Sequence, residues 1–323
     1  MESGREPLWR NEVLAEPGTG APATVAGDLV VTADGRQIGH VQGGIVRFGV
    51  PSADPSIEFY KSIGGADFHE RSKVGYAMTT LDTPVYHDYL KRIRPAQPGA
   101  VVADIGGGDG RNAMPWLAET DARLVVIDPI ADGLMRFRSR LESEHPEWLD
   151  RVLLIEADSR RLPLRNASCA AVQAVEALAF LNEEYDTGIR ECWRVMQDAA
   201  HLLVAERDYE SGLIVQLLYV DGIAGMLKHS KTGDFWDGPA GNLVRSASFT
   251  REELVEIVER CGMHVLEQCG ISFFSMIISY LRGQGRLGGP DDEPLLPEVH
   301  ALLKELGRDG RMMRSHVLVC RKG

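Results

Sequence analysis

VVADIGGGDGR, Val101 to Arg111, sets four glycines within five residues directly behind an apolar run. The run reads as a strand and the residues after it as a helix. A sharp strand-to-helix turn needs backbone angles that glycine adopts cheaply. The same turn exposes free N–H groups at a helix start and leaves out the Cβ atoms that would hold a ligand away. A dinucleotide-binding loop would read G-x-G-x-x-G, but Arg111 stands where its last glycine belongs. The spacing is instead D-x-G-x-G-x-G, with Asp104 on the strand itself. That pattern argues against a nicotinamide-dependent oxidoreductase.

From Gly99 onward the chain alternates. VVADI, RLVVID, RVLLIEAD, CAAVQAV and HLLVAER read as strands; RNAMPWLAE, ADGLMRFRSRLESE and DTGIRECWRVMQ read as helices. Continuous apolar strands separated by helices imply βαβ units and a parallel sheet covered on both faces. With right-handed crossovers the fold class is α/β, a doubly wound Rossmann-like sheet. After Arg207 the alternation breaks, and residues 209–248 fit no core element. It resumes with a helix in SFTREELVEIVERCG, capped by Ser248 or Thr250 and stopped at Gly262. MHVLEQCGISFF reads as a strand, residues 283–314 as a second irregular stretch holding the helix LPEVHALLKELG, and SHVLVCRK as the last strand.

The domain plan is then a loose arm over 1–26, a small β-module over 27–50, a helical cap over 51–98 and one large domain over 99–323. In the cap, Asp82-Thr83-Pro84 looks like a helix start. The formal net charge of −12 disfavours nucleic acid and anionic membranes as partners. The five cysteines, Cys169, Cys192, Cys261, Cys269 and Cys320, have no C-x-x-C spacing. They read as buried free thiols in a cytoplasmic protein without a metal. ISFFSMIISYL, 271–281, is too short to span a bilayer.

DIGGGDGR resembles motif I of the class I S-adenosylmethionine-dependent methyltransferases. VVIDP, ending a second strand at Asp128, IEADSRRLPL with Asp158, and AVEALAFL with Glu176 follow in the order of that family. The resemblance covers roughly 99–208, 246–270 and the final strand. It implies a seven-stranded sheet and S-adenosylmethionine as cofactor. It also implies roles for single residues. Asp128 would accept the ribose hydroxyls, and Asp158 the adenine amine, flanked by Ser159 and by Pro129 or Ile130. Gly106, Gly108 and Gly110 would bring backbone to the methionine end, with Asp104 near its ammonium and Glu176 close by. The plain alternative for each aspartate is a turn cap. Ala170, Gln197-Asp198-Ala199-Ala200 and Ala179 depart from the family pattern and weaken any transfer of catalytic residues.

DLVVTADGRQIGHVQGGIVRFGVP resembles the latter half of a Trm112-type zinc-ribbon module. It has no cysteine, and its lone histidine, His40, makes no metal site. Such a module would pack on the large domain or bring two copies together as a homodimer.

Methyl transfer needs acceptor and donor held in line, and for some acceptors a base. The candidate catalytic residues are His229, Glu176 and Glu206, with Asp208 and Asp237 behind them. His229 is favoured because imidazole titrates near neutrality. Tyr60, Tyr76, Tyr185, Tyr209, Tyr219 and Trp236 are candidate aromatic walls. The expected activity is methylation of a small molecule, with a secondary metabolite as first choice. The rival is a protein that binds S-adenosylmethionine but runs a non-methylating reaction or serves as a scaffold.

Overall fold

A computed structural model describes residues 8–51, 54–62, 76–237, 243–287, 293–310 and 312–323. Five parallel strands form its centre: β5 (Val101–Ile105), β6 (Arg123–Asp128), β7 (Val152–Glu156), β8 (Cys169–Val175) and β9 (Met196–Arg207). Two further strands extend it, β12 (Met263–Ser272) and β13 (Met313–Lys322), with β13 inserted between β9 and β12 and antiparallel to both. From β7 to β12 the order is β7-β6-β5-β8-β9-β13-β12. The order reverses beside β5, so the carboxyl ends of β5, β6 and β8 open onto a crevice, where doubly wound sheets bind ligands.

Successive residues of the central strands face opposite layers, as the pleat requires. Ala103, Ile105, Val125, Ile127, Leu153 and Ile155 join one apolar cluster. Val102, Leu124, Val126, Val152 and Leu154 join the other. The helices Ala131–Glu144 and Tyr185–Val195 lie on opposite layers, burying Phe137 in one and Ile189 in the other. Thr250 caps the helix Arg251–Arg260 through a capping box with Glu253.

The N-terminal segment departs from expectation. Its strands β1 (Ala23–Ala26), β2 (Leu29–Thr32), β3 (Gln37–Gln42) and β4 (Ile45–Arg47) form an antiparallel meander. They are no separate module: β4 pairs in parallel with β7, Val46 facing Ile155 and Arg47 facing Glu156. Among the described residues the sheet therefore has eleven strands, the four of the meander added to the seven from β7 to β12. The described part of the arm is also ordered against it. Leu8–Val13 is a helix whose Trp9 is buried and donates Nε1–H to the Asp150 carbonyl at 2.9 Å, while Leu14 is fully buried. Local composition hid this, because the partner surface lies well over a hundred residues downstream.

Three further features concern the connections. Residues 209–232, expected to be irregular, are the helices Tyr209–Val215 and Gly222–Thr232 joined by a π-helical turn, followed by the hairpin β10 (Phe235–Asp237) and β11 (Val244–Ser246). A helix, Thr83–Leu90, does begin at Asp82-Thr83-Pro84, with Pro84 in its first turn, but the Asp82 side chain makes no cap and is fully buried against Arg314, at the end of the π-helical turn Ala77–Asp82. ISFFSMIISYL splits between the end of β12 and the helix Phe274–Gly283.

A Trp9→Ala variant separates an ordered arm from a loose one. Loss of the buried indole should cost about 3 kcal/mol or more in denaturant unfolding; a change within a few tenths would show that the segment is not part of the core.

Candidate functional site

The glycine turn takes its shape from β6. The N–H groups of Gly106 and Gly107 donate to the Ile127 carbonyl at 2.7 and 3.2 Å. Asp128, ending β6, accepts from the Gly108 N–H at 2.9 Å through Oδ2 and from the Ile130 N–H at 2.8 Å through Oδ1. One carboxylate thus closes both the turn after β5 and the turn after β6. Gly108 has φ +52°, and a Cβ there would meet only Asp128 Oδ2, at 3.9 Å. Bare backbone at this point therefore serves the space above the turn, not the packing beneath it. Gly110 is bare for the opposite reason: a Cβ would fall 2.4 Å from the Phe137 ring.

A cleft runs over these turns. Gly106, Gly108, Asp128, Pro129, Asp158, Ser159 and Glu176, all proposed from sequence as cofactor contacts, line it together. Gly110 does not line it. Neither does Asp104, which is buried beneath the loop with its Oδ2 lacking a hydrogen-bond partner. Burial pushes Asp104 up to about 7, against the favourable contact from Gln173. Burial likewise raises Asp128 to about 6, against the N–H bonds from Ile130 and Gly108.

Asp158 is not the open acceptor that the sequence suggested. Arg160 Nε donates to both of its oxygens, at 3.0 and 2.9 Å. The same guanidinium reaches Glu184 at 2.8 Å and Asp54 at 2.7 Å. Asp54 in turn accepts from the Ser56 N–H at 2.9 Å, at the start of the helix Pro55–Ser62. One arginine therefore ties the start of the helix Pro55–Ser62 to the turn after β7. Its bond to Asp158 leads a set of contacts that raise its own pKa. Asp54-Pro55-Ser56 did carry a legible helix-start signal; nothing in the sequence marked Arg160 as its partner.

At the tip of β8, Glu176 adopts φ +52°. Its carboxylate receives Arg314 from β13 as an ion pair, the Ser315 hydroxyl at 2.6 Å and the Tyr86 hydroxyl at 2.8 Å. Burial would raise its pKa, but Arg314 and Arg207 outweigh burial and hold it down at about 2. So Glu176 is an anchored anion and a poor base. Glu206 fails differently. It is fully buried, is absent from the cleft lining, and has no hydrogen-bond partner at either oxygen. Burial, with the Glu176 charge beside it, raises its pKa well above the usual carboxylate range.

His229 is also corrected. Its ring is fully buried in the helix Gly222–Thr232, away from the cleft lining. Nδ1 lies 2.7 Å from the Asp234 carbonyl and Nε2 3.1 Å from that of Tyr209, so both nitrogens face backbone carbonyls and not the cleft. Asp208 caps the helix Tyr209–Val215 through the Ser211 N–H and pairs with His316 at 2.9 Å. The Asp237 side chain lies outside the described residues. Of the candidate aromatic walls, Tyr60 lines the cleft, edge to face with Phe180 at 5.2 Å. Tyr76 instead carries the Arg282 guanidinium on its ring at 4.3 Å. Tyr185 packs on Phe249, Tyr209 on His229, and Tyr219 donates to the Met276 carbonyl, none of them in the cleft lining. Trp236, likewise outside it, lies under Lys228 Nζ. Phe180, Arg111 and Arg207 line the cleft unforeseen; single residues of these types carry no spacing signal.

Residues 102–199 match the family described as Methyltransferase domain. No curated protein matches the chain. Among solved structures, the complex of the Haloferax volcanii Trm112 methyltransferase activator with its assigned methyltransferase aligns at TM-score 0.53, with 17% identity over 82% of this chain and 96% of that one. Haemonchus contortus phosphoethanolamine N-methyltransferase 2, in complex with S-adenosyl-L-methionine, aligns at 0.50, with 16% identity over 84% and 57%. Streptomyces coelicolor geranyl diphosphate C-methyltransferase, in complex with S-adenosyl-L-homocysteine, aligns at 0.50, with 11% identity over 74% and 76%. The fold is the Rossmann-like methyltransferase fold, and the cofactor of the matched domain is S-adenosylmethionine. The residues present fit that cofactor at its ribose end and along the loop: Asp128 lines the cleft and Gly108 leaves the floor bare. At the adenine end, Arg160 already holds Asp158.

The raised carboxyl at Asp104 fixes the sign of a pH effect. An acid whose folded value lies above its unfolded one opposes folding once the unfolded chain ionises. Its penalty therefore grows from about pH 4 to about 7 and is flat above. Between pH 5 and 7.5 the melting midpoint of the cofactor-free protein should fall more than that of Asp104→Asn, by roughly 5 °C. Parallel melting curves across that range would contradict the burial assigned to this group.

Proposed function

We propose that this protein is an S-adenosylmethionine-dependent methyltransferase acting on a small-molecule acceptor, with a secondary metabolite as the leading class. The observation that carries it is the glycine turn closed by Asp128 at the switch point of a matched methyltransferase domain. When bound, the cofactor supplies a methyl group on a sulfonium, open to in-line attack. The chain's part is to hold and to shield. Asp128 keeps two backbone donors on its oxygens and still has lone pairs for ribose hydroxyls. Tyr60, Phe180 and Leu181 give the cleft apolar walls that exclude water.

No general base emerges among the described side chains proposed for that role. Glu176 is locked to Arg314, Glu206 is buried, and His229 is tethered elsewhere. The reading is therefore catalysis by positioning, on an acceptor that needs no proton removed by the protein. The same lack of a base supports the second reading, a non-methylating reaction on a bound cofactor. In either reading the N-terminal strands are a metal-free, Trm112-like element, here built into the sheet, and the setting is cytoplasmic. Five buried free thiols agree with that setting.

Asp128→Ala should weaken S-adenosylhomocysteine binding by tenfold or more in isothermal titration, a loss of about 1.4 kcal/mol or greater. Unchanged affinity would remove the basis of the assignment. Release of S-adenosylhomocysteine from S-adenosylmethionine across an acceptor panel separates methylation from the second reading.

A further inference from the structure

One wall of the cleft stands apart from the sheet that carries the rest. Ser56, Ile57 and Tyr60, from the helix Pro55–Ser62, line the cleft together with Gly108, Asp128 and Asp158. The last three lie at or just past the ends of β5, β6 and β7. The helix is anchored differently. Among the described residues, none of its side chains joins either apolar layer of the sheet. Phe59 packs instead in a small separate cluster with Val244 of β11, flanked by Tyr60 and Phe180. A helix of 8 residues does not hold in water by itself, so this one persists through its docking. An element docked outside the main core opens locally at lower cost than the sheet.

The start of this helix is fastened by charge. Asp54 Oδ1 accepts from the Ser56 N–H at 2.9 Å and from the Ser56 hydroxyl at 2.6 Å. Asp54 Oδ2 accepts from Arg160 Nη2 at 2.7 Å. One oxygen therefore holds the helix together, and the other holds it to the protein. Arg160 is fixed from the sheet side. Its N–H and its Nε donate to Asp158 at 2.9 and 3.0 Å, and Nη1 donates to Glu184 at 2.8 Å, at the end of the turn Leu178–Glu184. The guanidinium is thus pinned by the turns after β7 and β8, and Asp54 is the partner that can leave. The Arg160 and Asp54 side chains are 18% and 12% exposed, so the pair is shielded yet still reached by dissolved ions.

We infer that the helix Pro55–Ser62 is a movable wall of the cofactor cleft, and that the Asp54–Arg160 pair is the latch that sets how fast the cofactor enters and leaves. The inference rests on the methyltransferase reading and adds to it the control of exchange at the same site. Asp54 and Arg160 are positioning residues here. The latch sits at the Asp158 end of the cleft, so its parting frees the nucleoside end first.

The test uses the full chain and S-adenosylhomocysteine. Stopped-flow fluorescence reads the association and dissociation rates, and isothermal titration reads Kd. Asp54→Asn keeps an oxygen to cap the helix and removes the charge that faces Arg160. It should raise both rates by about fivefold, the scale of one lost ion pair, and move Kd by less than either rate. Added salt should quicken exchange in the wild-type chain and leave Asp54→Asn nearly unchanged. In the wild-type chain, amide hydrogen exchange should be faster over residues 55–62 than in β5 to β8, and should slow when S-adenosylhomocysteine is bound. Faster dissociation with unchanged association, two unchanged rates, or protection of 55–62 equal to that of the sheet would each overturn the inference. The hydrogen-exchange arm needs no variant, so it decides the matter even where Asp54→Asn does not fold. Failure of the underlying reading looks different: the wild-type chain would then not take up S-adenosylhomocysteine at all.

Discussion

The cleft depends on a single carboxylate shared between two turns. Asp128 gathers the Gly108 and Ile130 N–H groups, one from each side of the crevice. Neither turn could hold its shape alone. The glycine loop has too much conformational freedom, and the turn after β6 has no helix cap of its own, since Ile130 stands at that position. Burial makes this carboxylate costly to ionise, and the two N–H donors repay part of that cost. The outcome is a rigid floor bare of side chains at Gly108.

The far side of the cleft is built by a different rule. There the chain buries charge in pairs. Arg314 from β13 meets Glu176 from the tip of β8 and Asp82 from the turn before the sheet. Three distant segments meet at one guanidinium, with the Tyr86 and Ser315 hydroxyls filling the remaining valences of Glu176. Removing Arg314 would strand the Glu176 charge in the interior. Such a cluster fixes where β8 ends and holds Glu176 in a left-handed conformation that few non-glycine residues adopt. Arg160 repeats the pattern on the opposite rim, with Asp158, Asp54 and Glu184.

The periodic parts of this architecture were legible. β6, β8 and the helix Ala131–Glu144 fall on the residues whose pattern announced them. The glycine spacing and the acids at 128 and 158 pointed to one cleft because each lies at or just past the end of a strand, and strand ends in such sheets converge. What stayed hidden were long-range pairings between residue types that are usually solvated. Arg314 with Glu176, Arg160 with Asp54, and β4 beside β7 leave no local trace. His229 misled for a related reason. Its type suggested proton transfer, while its neighbours in space are two backbone carbonyls. Residues 209–232 misled because glycine-rich composition outweighed a helical period that tertiary packing enforces.

The parallel seam between β4 and β7 also sets an order of events during synthesis. β4 ends at Arg47 and β7 begins at Val152, so about a hundred residues separate the two halves of one ladder. On the ribosome the meander emerges long before the strand it must join, and Trp9 before the Asp150 carbonyl that receives its indole N–H. A nascent chain therefore carries an unmatched β-edge until most of the first βαβ units have appeared, the interval in which pairing with another chain competes with pairing at home.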